Sequence, residues 1–133
     1  MIGSGRLLRV ALVIGILIDA GVGLVSIFAQ PLYPQLLDVP VKDSAMATIL
    51  GGELLVAATV YVFPLRDPVR FRPLLWVCAL DQTFGVVLPA YLMLTAAMPT
   101  SLTTIAPIPF QLVLVAVYVA AARRRLQRGD APG

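Results

Sequence analysis

The chain has 133 residues, 59% apolar and only 13% charged, with a net charge of +3 and a mean hydropathy of +0.93, so it holds more oil than a water-facing surface can cover. Four apolar helices of roughly 20 residues each, with their turns, use nearly the whole length and leave no room for a soluble catalytic domain. The lack of histidine and the single Cys78 exclude imidazole metal sites, haem ligation by histidine, Ser-His-Asp triads, CxxC chemistry and an internal disulfide; neither metal nor cofactor is expected.

The predicted fold is all-α, a single polytopic membrane domain over residues 1–133, with four spans in an up-down bundle at about 7–29, 45–63, 73–95 and 102–122. Span one is followed by a proline-rich stretch with Pro31, Pro34 and Pro40. Asp19 in mid-run and isoleucine at position 27 argue against reading this segment as a cleaved signal peptide. Asp43-Ser44 offers good N-caps to span two. The stretch Pro64 to Arg72 reads as a short basic turn. Pro99-Thr100-Ser101 precedes span four, in which Pro107 and Pro109 predict that regular helix starts near Pro107.

Nine of the ten basic residues lie before span one, between spans two and three, or after span four, and only Lys42 lies in the other two loops. Cytoplasmic loops retain Lys and Arg, so the pattern predicts a multi-pass protein of the plasma membrane with both termini in the cytoplasm. Arg123, Arg124, Arg125 and Arg128 read as a topology signal with contact to anionic lipid, and no nucleic-acid partner is expected.

The polar residues within the spans carry the functional reading: Asp19, Glu53, Asp81 with Gln82, and Gln111, at least one per helix. Counting from the arginines at about 1.5 Å per residue puts Asp19 and Asp81 near the midplane, about 14 to 15 Å in, with Glu53 and Gln111 roughly a turn further out. A carboxylate there costs about 2.5 to 3.5 kcal/mol on insertion scales. No basic group lies at matching depth, and oil and mutual repulsion both oppose ionisation, so at least one acid is expected to be neutral at pH 7. The expectation is one interhelical cluster, with Asp19, Asp81 and Glu53 as catalytic groups and Gln82 and Gln111 as substrate contacts. The plainer alternative is that neutral acids hold the helices together through Gln82, Gln111, Ser26, Thr59 and Thr83.

Gly15, Gly21 and Gly23 in span one and Gly51, Gly52, Ala57 and Ala58 in span two allow close helix approach. Pro89 and the Pro107-Ile108-Pro109 segment predict a bundle splayed on its outer side. Tyr33, Tyr61, Trp76, Tyr91 and Tyr118 read first as interface anchors, with Tyr91 and Trp76 also carried as candidate substrate contacts. Asp19 and Gly23 in span one are matched by Asp81 and Gly85 in span three, and Glu53 with Tyr61 is paralleled by Gln111 with Tyr118. A duplicated hairpin would have its pseudo-twofold axis along the membrane normal and would bring Asp19 and Asp81 face to face.

The glycine-rich first span ending in Pro31, Gly51-Gly52 at the head of the second, and the hairpin Arg66-Asp67-Pro68-Val69-Arg70 give a layout that resembles the small four-helix DoxX-like membrane proteins over about residues 7 to 125. The resemblance implies a four-helix bundle and, in some members, association with quinone-linked oxidoreductases; it identifies no catalytic residue. Three functions follow as expectations. The first is an intramembrane enzyme of isomerase or cyclase type on a lipophilic small molecule, in which carboxyl groups protonate the substrate or steady a carbocation. The second is a proton-coupled transporter of lipophilic cations, and the third a non-catalytic subunit of a membrane oxidoreductase. Association with further copies or within a larger membrane complex is left open.

Overall fold

The structure, a computed structural model, describes residues 4–32, 34–35 and 42–124. Tyr33, Pro40, Arg125 and Arg128, which enter the sequence reading, lie outside the described residues. Helix α1 runs over Ser4–Phe28, followed by a 3-10 turn at Gln30–Leu32; α2 covers Ser44–Arg66, α3 Leu74–Leu94, α4 Leu102–Ile105 and α5 Pro107–Arg123. With α4 and α5 together forming one crossing, the described residues give four helical spans long and apolar enough to cross a membrane. The chain is an all-α, multi-pass membrane protein built as a four-helix bundle.

Local chemistry sets the boundaries. The Asp43 carboxylate accepts from Ala45 N and Met46 N at 2.9 and 3.1 Å and starts α2. Helix α2 then runs through Pro64 to Arg66, three residues beyond the expected end. Pro64 removes only one ladder bond there, and Asp67 N closes the helix on Phe63 O. Helix α3 carries Pro89 within it and ends in a left-handed turn at Ala96, φ 56°, where Ala97 N and Met98 N cap Leu92 O. The expected restart near Pro107 is observed, with Ser101 and Thr104 forming a capping box on the short α4 and Pro107 opening α5.

Helix α1 packs mainly on α2, and α3 mainly on α5; α2 with α3 and α1 with α5 make the lesser contacts. The bundle is therefore two hairpins side by side. Within the first, Gly23 and Gly51 cross backbone to backbone: a Cβ at Gly51 would lie 2.7 Å from Gly23 O, and one at Gly23 2.9 Å from Gly51 O. Gln30 fastens the far end of this hairpin, donating to Ser26 O, Ser44 O and Thr48 Oγ1 and accepting from Ser44 Oγ at 2.6 Å. At Gly21 and Gly52 an added Cβ would meet nothing, so these two glycines face outward and do not line the α1/α2 contact as the sequence suggested.

The apolar core lies toward the end that carries the arginines. Leu8, Ala11 and Leu12 of α1 meet Tyr61 of α2, Leu75, Cys78 and Ala79 of α3, and Leu114, Tyr118, Ala121 and Ala122 of α5. Arg72 Nε donates to Ala122 O at 2.6 Å, tying the α2–α3 turn to the last turn of α5. Toward the other end large apolar side chains face outward, among them Phe28, Leu94 and Leu102, each at least 78% exposed.

Candidate functional site

Asp19 and Asp81 sit on the first helix of each hairpin, and the bundle brings them together where the hairpins meet. Asp19 is 3% exposed and its carboxyl faces Asp81 and Gln82. Asp81 is half-buried. Its Oδ2 accepts from the Tyr61 hydroxyl at 2.7 Å and from Gln82 Nε2 at 3.2 Å. Gln82 Nε2 also donates to the Tyr61 oxygen at 2.9 Å, and that hydroxyl lies 3.2 Å from Cys78 O.

Two facing carboxylates would present acceptors alone. One shared proton would turn that repulsion into a hydrogen bond. Asp81 Oδ2 already accepts from two donors and is held as an acceptor. Asp19 Oδ2 is buried without any partner, and as an O–H it can donate to Asp81. The arrangement is a pair of acids with unequal environments, a geometry in which one acid can give a proton and the other can accept one.

A second pair of polar contacts builds this layer. Each hairpin's second helix sends a tyrosine to the first helix of the other hairpin: Tyr61 reaches α3, and the Tyr118 hydroxyl donates to Ala11 O of α1 at 2.6 Å. Their rings meet edge to face, with centroids 5.8 Å apart. Gly15 makes this crossing possible, because a Cβ there would lie 2.5 Å from the Tyr61 ring and 2.8 Å from the Tyr118 oxygen. The two tyrosines cross reciprocally, and Gly23 and Gly85 are the points where each hairpin's own helices approach.

The remaining sequence candidates divide. Gln111 packs in the space that Gly85 leaves, 2.6 Å from where a Cβ would stand. Its buried Oε1 has no partner, and neither has Gln82 Oε1. Glu53 does not join the cluster. It is exposed on the outward face of α2, because the inward face is taken by Gly51, Ala58 and Tyr61, and position 53 lies roughly opposite this stripe. Trp76 and Tyr91, 47% and 60% exposed, lie on the outer surface of α3 and are not part of the buried cluster. Tyr61 and Tyr118, expected at an interface, are instead 1% and 0% exposed in the core. Among the described residues no group of acids and cysteine has the geometry of a metal site.

A signal for Tyr61 is present in the sequence. Side chains lean toward the N-terminus of their helix, and α2 starts at the end remote from the arginines, so Tyr61 leans toward the acid layer. No family model, no curated protein and no solved structure matches this chain, and its site is read from its own geometry.

Proposed function

We propose that this protein is an integral membrane enzyme that carries out acid/base chemistry of the isomerisation or cyclisation type on a lipophilic small molecule. The observation that carries the reading is the unequal acid pair: Asp19 buried with an unpartnered oxygen, Asp81 held by Tyr61 and Gln82 and half-open to the bundle surface. Asp19 serves as the proton donor to an alkene carbon, and Asp81 as the base that takes a different proton back or steadies the cation between the two steps. Tyr61 and Gln82 are positioning residues that hold Asp81 as an acceptor. Glu53 has no part in this site.

Access comes from the bilayer. Among the described residues, side-chain hydrogen bonds between the hairpins occur at the acid layer and in the arginine half, and none lies beyond the acids. Leu80 and Phe84, 57% and 53% exposed, flank Asp81 on the outer surface of α3. A lipophilic substrate then approaches laterally, with its body in lipid and its reacting carbon at the carboxyls. The arginine bias puts both termini and the α2–α3 turn in the cytoplasm of a plasma-membrane protein, so the looser half faces outward.

Asn in place of Asp keeps size and hydrogen bonding and removes the exchangeable acid proton. Purified protein in nanodiscs, incubated with a membrane lipid extract, should give a product by mass spectrometry that Asp19→Asn and Asp81→Asn fail to form while both variants insert and unfold as the parent does. Identical product profiles for parent and both variants would rule the reading out. Pumping of a lipophilic cation in exchange for a proton, abolished by the same substitutions, would replace it with transport.

A further inference from the structure

Glu53 stands about nine residues, roughly 14 Å, inside the start of α2 at Ser44 and about 20 Å from Arg66. Its neighbours on the outward face are Ile49, Leu50, Val56 and Phe63, 45 to 65% exposed. A carboxyl on this face of a spanning helix meets hydrocarbon, and its short side chain does not reach a headgroup from that depth. Beside it Gly52 is open, with no atom within 4 Å of an added Cβ. The polar group needs a partner, and the surface next to it admits a second backbone.

We propose that this face is the interface of a parallel homodimer, in which α2 of one copy crosses α2 of the other at Gly52 and Val56 and the two Glu53 carboxyls bond to each other. The occupant follows from depth. Copies of one chain share an orientation, so a two-fold axis normal to the membrane brings each residue on the axis to its own counterpart at the same level. A carboxyl is self-complementary, since its protonated form both donates and accepts, and two of them satisfy each other without any basic group. The described part of the chain offers no lysine or arginine at this level. The absent side chain of Gly52 lets the backbones approach closely enough for the short Glu53 side chains to meet. The interface lies on the opposite side of α2 from Tyr61, so it leaves the Asp19–Asp81 site unobstructed.

The full chain in lipid nanodiscs or bilayers, with subunits counted by single-molecule photobleaching, tests this. The parent should be a dimer. Glu53→Gln, whose amide both donates and accepts, should keep it, and Glu53→Leu should weaken it about tenfold, the size of one interhelical polar contact in lipid. Val56→Cys should form an interchain disulfide under mild oxidation while Leu17→Cys, 66% exposed on α1, should not; Cys78 is buried and does not compete. A monomeric parent, a dimer indifferent to Glu53→Leu, or cross-linking at position 17 in place of 56 would overturn the proposal. The cysteine arm retains Glu53, so it decides the matter even where Glu53→Leu fails to insert.

Discussion

Tyr61 donates its hydroxyl to Asp81 at 2.7 Å across the seam between α2 and α3, from one of the most deeply buried side chains in the protein. Tyr118 spends its hydroxyl on a backbone carbonyl, Ala11 O. The two tyrosines are alike in burial and unlike in what they hold, so they separate packing from chemistry. Tyr118→Phe should cost about 1 kcal/mol of stability, the worth of a neutral hydrogen bond, and leave turnover near the parent's. Tyr61→Phe should cost about 1 to 3 kcal/mol, since it leaves a carboxyl oxygen in the bundle short of its donor, and should also lower turnover. Unfolding in detergent beside product formation checks both; equal effects of the two variants on turnover would remove Tyr61 from the site.

Gly15 is the tightest point of the crossing. Gly15→Ala forces a methyl against Tyr61 and Tyr118 and should destabilise by about 1 to 3 kcal/mol, as overpacked cores do. Gly21→Ala, into open space, should be neutral or gain up to about 1 kcal/mol from helix propensity. Denaturant titration of both variants beside the parent measures the difference, and its sign is the prediction.

What the sequence made legible was depth. Counting residues from the arginines put Asp19 and Asp81 at one level, and the structure has them in contact. The caps at Asp43 and the restart at Pro107 were readable because they rest on local chemistry. Azimuth was not readable. Each helix is apolar on nearly all sides, so no polar face marks which side looks outward, and Glu53, at a depth close to the acids, turned away from them. The same blindness placed Tyr61 and Tyr118 at an interface when both point into the core. In a soluble helix the charged face would have settled these orientations.

Orientation in the membrane is testable at described positions. Lys42→Cys, in the loop before α2, should react with an impermeant maleimide added to intact cells. Arg70→Cys, in the α2–α3 turn, should react only after the membrane is opened. Labelling of both from the same side would refute the cytoplasmic placement of the arginine end.

The central claim is that the Asp19–Asp81 pair moves a proton to and from carbon. Incubating the protein with membrane lipids in deuterium oxide tests it most directly, because protonation of a double bond followed by loss of a different hydrogen leaves solvent deuterium bound to carbon, where it does not wash out. The account predicts a lipophilic species that gains carbon-bound deuterium with the parent protein and with Glu53→Gln, and gains none with Asp19→Asn or Asp81→Asn. No carbon-bound label with the parent, or the same labelling with the double variant Asp19→Asn/Asp81→Asn, would contradict it.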